Sequence, residues 1–233
     1  SKEIAEEPEV VGHTLAHYLD FASGKATLPE GAAIDFTALD RLSITACGTA
    51  FYAGLVAKYW FERFARLPVD IDIASEFRYR EQPLTAKGLS IVVSQSGETA
   101  DTLASLRYAK AEGQKVAAVV NVTTSTIARE ADYVLPTLAG PEIGVASTKA
   151  FTSQLSVLAA LSVAAGRARG VLSAEDEGKL VRALSEVPRF MSQALRLEPQ
   201  IERLAKDLSR VEHVLYLGRG TSYPIALEGA LKL

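Results

Sequence analysis

The densest group of potential ligand-binding side chains is the segment SQSGET at residues 94–99. It follows an apolar run and precedes a stretch of helical character, so we expect it at the carboxyl end of a strand, where α/β proteins bind ligands. The helix that follows presents free amide groups and the positive end of its dipole. A helix cap is the simpler alternative. Several polar donors around one glycine favour an anion site instead, with the candidates Ser94, Gln95, Ser96 and Thr99.

The nature of the anion follows from what the motif lacks. The sequence contains no G-x-x-x-x-G-K-[ST] loop, and the Gly-Arg-Gly at 218–220 lacks the third glycine of a dinucleotide motif. Neutral hydroxyl donors without an adjacent lysine suit a small phosphomonoester that is held by hydrogen bonds. The segment therefore favours a phosphorylated metabolite over a nucleotide.

Two further loops have the same arrangement of small and hydroxyl residues before a helix. These are CGTA at residues 47–50 and VASTK at residues 145–149. Thr49 either caps its helix or contacts a ligand, and Ser147 is predicted to be a helix cap. We interpret Cys47 as a small apolar residue at a strand end rather than as a nucleophile. If the three loops lie at one edge of one sheet, they line one pocket.

The three histidines do not form a recognisable site in the sequence. His13 and His17 are four residues apart on a predicted helix, but no HExxH pattern or cysteine cluster accompanies them. We interpret them as helix-surface residues and His213 as structural. The sequence therefore predicts no metal site.

These loops need a sheet to bring them together, and the chain alternates short apolar runs with longer helical stretches. The pattern predicts a doubly wound, three-layer α/β/α fold with a mostly parallel five-stranded sheet. The segment at 69–73 alternates apolar and acidic residues, which is typical of an edge strand. The predicted strands are 42–47, 69–73, 89–94, 115–121 and 133–136, and the predicted helices are 51–66, 100–112, 125–130 and 148–169.

The rest of the chain divides around this domain. We predict an N-terminal helical segment at 1–40, a first domain at 41–170 and a helical linker at 171–211. A strand at 214–217, followed by a Gly-Thr turn and a helix, repeats the order of elements that begins at Ile44. We therefore expect residues 212–233 to be the start of a second, truncated copy of the domain.

Composition excludes several classes of protein. The 233 residues are 48% hydrophobic and 23% charged, with a net charge of −3, which is typical of a globular protein and unlike a nucleic-acid-binding one. The single cysteine fits a reducing compartment. No apolar run reaches the ~18 residues of a membrane span. We expect a cytoplasmic protein with neither nucleic-acid nor membrane partners.

Several long motifs in order resemble a known family. CGTAFYAGLVAKYWFE, ASEFRYR, SQSGETADTL, EIGVASTKAFTSQL and GRGTSYPIALEGALKL are similar to the sugar-isomerase (SIS, flavodoxin-like) half of the glutamine–fructose-6-phosphate aminotransferases. The resemblance implies conversion of fructose 6-phosphate and glutamine-derived ammonia to glucosamine 6-phosphate, in amino-sugar biosynthesis. It also implies a homodimer, no metal or organic cofactor, and a glutaminase domain upstream in the intact protein.

The resemblance assigns substrate contacts to all three loops. Implied phosphate contacts are Ser94, Gln95, Ser96 and Thr99. Contacts around the sugar and its phosphate are Cys47, Gly48 and Thr49, and further sugar contacts are Val145 and Ser147. Lys232 corresponds to a family lysine near the catalytic centre.

The sequence also departs from the family pattern. The glutaminase domain is outside this chain, and the family's ring-opening histidine, base glutamate and Schiff-base lysine follow the ALKL segment at 230–233. Ala50 stands where many members have serine. We expect this chain to bind a sugar phosphate without catalysing the reaction alone. Two alternatives are a SIS-type glucosamine-6-phosphate deaminase or isomerase and a non-enzymatic module that senses phosphosugars.

Overall fold

The computed structural model describes residues 2–233 and contains two sheets. Strands β1 and β2 form a short antiparallel hairpin, and the main sheet has five parallel strands in the order β4-β3-β5-β6-β7. The strand bounds are β1 Leu19–Asp20, β2 Lys25–Ala26, β3 Arg41–Ala46, β4 Val69–Ile73, β5 Gly88–Ser94, β6 Lys115–Val120 and β7 Tyr133–Pro136.

Ten α-helices surround and extend the sheet in the described part of the chain. The helix bounds are α1 Lys2–Tyr18, α2 Gly48–Trp60, α3 Ala74–Arg80, α4 Ala100–Ala111, α5 Thr126–Glu130, α6 Lys149–Ala168, α7 Ala174–Ser185, α8 Val187–Leu195, α9 Glu198–Leu208 and α10 Ser222–Lys232. A π-helical turn, Phe61–Ala65, extends α2. The predicted strands and helices of the main domain therefore form close to their expected bounds.

The sheet has a helical layer on each face, so the predicted three-layer α/β/α fold is confirmed. Alternate residues of the strands, such as Ile91 and Val119, pack with α1, α2 and α6 in one core. Their neighbours Val92 and Val120 pack with α4 and α5 in a second core. Strand β5 is buried along its whole length, and β4 lies at the sheet edge as its alternating pattern predicts.

The N-terminal segment is less helical than predicted. Helix α1 ends at Tyr18, and the chain turns back into the β1–β2 hairpin. The carboxylate of Asp20 accepts hydrogen bonds from the amides of Ala22 and Ser23, and Gly24 has a φ of +69°. This local turn is incompatible with a continuing helix, because helical residues need negative φ.

The predicted linker at 171–211 is helical, as expected. It forms three helices, and two of them carry a proline in their first turn, Pro188 and Pro199. Helix α7 packs on the domain body, where Val181 is buried and the Glu177 carboxylate accepts a hydrogen bond from the Ala26 amide at 3.0 Å. Helices α8 and α9 bury none of their residues. The domain boundaries themselves remain a prediction.

The prediction of a strand at 214–217 is wrong. This segment has no strand pairing with any of residues 2–233, and Leu215 and Leu217 are exposed. A strand requires a neighbouring backbone for its hydrogen bonds, which an apolar pattern alone does not supply. Only the helix of the expected repeat forms, as α10, which packs against α2.

Between residues 2 and 233, no helix combines the length and the apolar character that crossing a membrane requires.

Helix α1 carries a carboxyl group that is unfavourably buried. Burial raises the pKa of Glu7, the Glu142 carboxylate adds to the rise, and a hydrogen bond with Thr152 opposes it. The raised folded-state pKa means that protonated Glu7 favours folding at low pH. This contribution is lost as the pH rises through the folded-state pKa.

We predict that Glu7→Gln raises the melting temperature at pH 8 but leaves it unchanged near pH 4. The physical reason is that glutamine removes the buried negative charge, which is absent at low pH in either protein. Thermal unfolding followed by circular dichroism across this range measures the difference. Glu9→Gln, at an exposed position of the same helix, is the control. A gain that is equal at both pH values would contradict the prediction.

Candidate functional site

The candidate site lies at the carboxyl ends of two adjacent strands. Strands β3 and β5 are neighbours, and the strand order reverses beside β3, because the chain continues to β4 on one side and to β5 on the other. Such reversal points leave a crevice at the sheet edge. A cavity of about 230 Å³ occupies it, lined by Cys47, Thr49, Ala50, Val93, Ser94, Gln95, Ser96, Thr99, Thr102, Ser147 and Gln154.

The turn between β5 and α4 is held by its own hydroxyl groups. The buried Ser94 hydroxyl accepts a hydrogen bond from the Gly97 amide at 3.0 Å and lies 3.1 Å from the Thr99 hydroxyl. The Ser96 hydroxyl accepts from the Glu98 amide at 3.2 Å. Thr99 is the N-cap residue of α4, but its side chain makes no capping hydrogen bond. The turn therefore presents hydroxyl groups to the cavity at the N-terminus of a helix.

Gly97 makes this turn possible. Its φ of +67° lies in the left-handed region, and an added Cβ would overlap the Ser125 side chain and crowd Val120. The Glu98 carboxylate reinforces the same contact from the other side, by accepting a hydrogen bond from the Thr126 amide at 2.7 Å. The turn is thus fixed against the N-terminus of α5.

The N-terminus of α2 supplies the second wall. Gly48 has a φ of +54° and redirects the chain from β3 into the helix. The Thr49 hydroxyl accepts a hydrogen bond from Lys232 Nζ at 2.7 Å and donates one to Glu228 Oε1 at 3.1 Å. Lys232 and Glu228 also form an ion pair at 3.1 Å. Thr49 does not cap the helix; it joins the cavity to α10.

The loop before α6 supplies the third wall, and here the predicted cap is wrong. Ser147 does not cap α6; its hydroxyl donates to the Glu142 carboxylate at 2.8 Å. Glu142 Oε1 accepts from the amides of Thr148 and Ala150, at 2.8 and 3.2 Å. A carboxylate satisfies the free amides of a helix N-terminus better than a hydroxyl does, because it also interacts with the helix dipole.

The structure brings most of the predicted residues to this cavity. The predicted residues that line it are Cys47, Thr49, Ser94, Gln95, Ser96, Thr99 and Ser147. Gly48 lies outside the lining and shapes the turn, and Val145 is fully exposed and also outside it. Lys232 reaches the cavity wall only through Thr49. Ala50 is also part of the wall.

Two polar lining residues were not predicted from the sequence. Thr102 is 0% exposed and Gln154 is 2% exposed. Thr102 lies three residues after Thr99, so the two share a helix face, and this spacing could have predicted Thr102 from the sequence. Gln154 is a glutamine within the largely apolar α6, which is a weaker signal.

The cavity is electrically neutral but lies at two positive helix ends. None of its lining residues is Asp, Glu, Lys, Arg or His. The first turns of α2 and α4 both border it, so their free amides and dipoles favour a bound anion. The site can therefore bind a small anion through hydroxyls and helix termini.

Other features of the described residues carry less chemistry. A larger cavity of about 460 Å³ lies among α1, α6, α7 and α8, but its lining is almost wholly apolar. His13 and His17 are exposed on α1, as predicted, and His213 is exposed in a loop. Among residues 2–233, no three or more His, Cys, Asp or Glu side chains form a group suited to a metal ion.

Comparison with known proteins agrees with this fold. The family model described as the SIS domain matches residues 36–164, more than half of the chain. The chain therefore belongs to the SIS domain family. The matched segment contains the main sheet, the SQSGET turn and the first part of α6.

The full length of the chain is also similar to particular members of this family. It is 69% identical to a glutamine–fructose-6-phosphate aminotransferase (isomerizing) of Bradyrhizobium diazoefficiens and 68% identical to one of Brucella abortus. Each match covers 100% of this chain and 38% of the relative, so the chain spans well under half the length of these proteins.

Solved structures show the same relationship. The C-terminal domain of glucosamine-fructose-6-phosphate aminotransferase from Francisella tularensis has a TM-score of 0.94 at 40% identity, covering 99% of this chain and 65% of that chain. A glucosamine-6-phosphate deaminase from Thermotoga maritima has a TM-score of 0.75 at 21% identity, covering 99% of this chain and 64% of that chain. The second similarity shows the fold alone.

The SQSGET turn leads to a prediction about stability. Gly97→Ala is expected to lower the free energy of unfolding by more than the ~1–2 kcal/mol that a left-handed backbone costs alanine, because the new Cβ also overlaps Ser125. Gly113→Ala is the matched control, since its φ is +83° but an added Cβ meets nothing within 4 Å. Urea unfolding measures both variants. Equal losses would contradict the steric argument.

The loop before α6 leads to a further prediction. Glu142→Ala removes the acceptor for two backbone amides and for the Ser147 hydroxyl, and we expect it to lower the free energy of unfolding by about 1–2 kcal/mol. Glu142→Gln keeps an acceptor oxygen but removes the charge, so its loss should be smaller. Urea unfolding of the two variants gives the order. A Glu142→Ala variant as stable as the unmodified chain would disprove the capping role.

Proposed function

We propose that this chain binds a sugar phosphate, with the phosphate group held by Ser94, Ser96, Thr99 and the Gln95 amide. The observation that carries the proposal is the neutral, hydroxyl-lined cavity at the N-termini of α2 and α4. Hydroxyls supply hydrogen bonds to the phosphate oxygens, and the helix dipoles supply a favourable potential.

The size of the cavity supports a small ligand. Its volume of about 230 Å³ is below the ~300–1,000 Å³ of typical drug-sized sites. The cavity also lacks the lysine of a nucleotide-binding P-loop. A phosphorylated monosaccharide suits both constraints, with its sugar in contact with Cys47, Thr49 and Ser147. Gly48 shapes the turn beside it.

The named relatives support a specific substrate pair and reaction. We propose that the ligands are fructose 6-phosphate and glucosamine 6-phosphate, and that the intact protein forms the second from the first with glutamine-derived ammonia. The chain spans only 38% of these relatives, so the ammonia source is assigned to a glutaminase domain elsewhere in the intact protein. A homodimer in the cytoplasm, serving amino-sugar biosynthesis, completes the proposal.

The role of this chain in that reaction is mainly positioning. Binding energy from the phosphate, which is remote from the reacting carbons, holds them in a productive orientation. Lys232 is the candidate catalytic residue, because its ammonium lies one hydroxyl group away from the cavity, at 2.7 Å from Thr49 Oγ1. We propose that the remaining catalytic groups lie outside this chain and that the chain alone is inactive.

Calorimetric titration of the chain with fructose 6-phosphate and glucosamine 6-phosphate tests the proposal. We expect both to bind and unphosphorylated glucosamine to bind at least tenfold more weakly, because it lacks the charged group that hydroxyls and helix termini recognise. Ser96→Ala should weaken the binding of both sugar phosphates, since it removes a hydroxyl from the phosphate turn. Circular dichroism establishes that each chain is folded.

The possible results test separately whether the SQSGET turn holds the phosphate and whether this chain binds a sugar phosphate by itself. Phosphate-dependent binding that Ser96→Ala weakens supports the proposed site. Binding that is independent of the phosphate, or unaffected by Ser96→Ala, would overturn the assignment of the SQSGET turn. A folded chain that binds neither sugar phosphate would overturn the proposal that this chain binds them by itself.

A further inference from the structure

The cavity contains polar atoms that the protein itself does not satisfy. Three buried oxygens of its lining have no hydrogen-bond partner among residues 2–233: Gln95 Oε1, Thr102 Oγ1 and Gln154 Oε1. Gln95 is partly exposed, and its Nε2 donates to the Gly140 carbonyl at 3.3 Å. Thr102 and Gln154 are almost completely buried. They form the polar floor of the cavity.

This floor is unfavourable for the folded chain on its own. A buried polar group without a partner costs roughly 1–3 kcal/mol relative to one that is satisfied, so such groups are rare in folded proteins. The surroundings of Gln154 on α6 are largely apolar, with Val157, Leu158 and Leu161 fully buried. An apolar side chain would fit this position at no such cost. The cost is explained if the unsatisfied oxygens have a partner in the cavity.

The two side chains reach the cavity from opposite sides of the sheet. Thr102 lies on α4, which packs on one face, and Gln154 lies on α6, which packs on the other. Thr102 is one helical turn beyond Thr99, so it continues the row of hydroxyls that begins at the SQSGET turn. A ligand that enters between the helices meets the hydroxyls of the turn and both floor residues.

We infer that Thr102 and Gln154 are ligand-binding residues, which hydrogen bond the sugar phosphate that the turn holds. This inference rests on the proposed function and adds two buried contacts to it. The Thr102 hydroxyl can donate to a phosphate oxygen or pair with a sugar hydroxyl, whereas the unsatisfied Gln154 Oε1 can only accept, so its partner is a sugar hydroxyl. Their burial makes each hydrogen bond stronger than one in water.

Thr102→Val and Gln154→Met test this inference, because each replaces a polar side chain by an apolar one of similar size. We expect each to weaken binding of fructose 6-phosphate to the 233-residue chain by roughly tenfold in calorimetric titration. Without ligand, their melting temperatures should equal or exceed that of the unmodified chain, because an unsatisfied buried group has been removed. A residue with a purely structural role would show the opposite pattern.

Ser153→Ala is the matched control. Ser153 is fully buried on the same helix, and its hydroxyl has no partner in the described chain, but it does not line the cavity. Like the other two variants, Ser153→Ala should melt at the same temperature as the unmodified chain or higher. Its affinity for fructose 6-phosphate should be unaltered. A parallel titration with inorganic phosphate assigns the lost contact. If a variant binds both ligands more weakly, the lost contact is to the phosphate. If it binds only fructose 6-phosphate more weakly, the lost contact is to the sugar. Either result supports the inference.

Other results overturn it. If the unmodified chain binds and Thr102→Val and Gln154→Met bind equally well, the proposed function stands and the floor residues are not ligand contacts. The same conclusion follows if the two variants melt several degrees lower while affinity is unchanged. If the folded, unmodified chain binds no sugar phosphate, the proposed function fails and this inference fails with it.

Discussion

The position of β3 between β4 and β5 is the constraint on which the rest of the site depends. Because the strand order reverses beside β3, helices α2 and α4 leave for opposite faces of the sheet, and their N-termini are not covered by a neighbouring connection. The parallel register between β3 and β5 brings the ends of both strands to one edge. The cavity is a geometric result of this order, and the residues of the two turns then decide its chemistry.

Charged groups surround this cavity but do not line it. Glu142 is engaged by the N-terminus of α6, Glu228 and Lys232 pair with one another, and Arg78 pairs with Asp101 at 2.7 Å in the first turn of α4. Each charge has a partner of its own, so the lining is left to hydroxyls, amides and small apolar side chains. An anion in the cavity would be recognised through oriented dipoles rather than by a single opposite charge.

The features of the fold and site that could be predicted from the sequence are those with a local signal. Continuous apolar runs located the parallel strands, and the polar residues that follow them marked the cavity, because strand ends must meet at a sheet edge. Features that depend on distant parts of the chain could not be predicted in this way. The apolar run at 214–217 has no neighbouring strand, and Glu142 replaces Ser147 as the cap of α6 from six residues before Thr148. Nothing in the sequence around Gln154 shows that it lines a cavity, because this depends on how α6 packs beside the two turns.

The internal hydrogen bonds of the turns have an energetic consequence for recognition. Ser94 and Ser96 accept hydrogen bonds from amides of their own turn, and the hydroxyls of Thr49 and Ser147 already donate to carboxylates. The two serines can donate to a ligand while they keep these bonds, but a ligand that recruits Thr49 or Ser147 as a donor must draw it away from a carboxylate. At these two positions binding is an exchange of partners rather than a simple addition. The enthalpy gained would be small, and selectivity would arise from how well each ligand replaces the partners that it displaces.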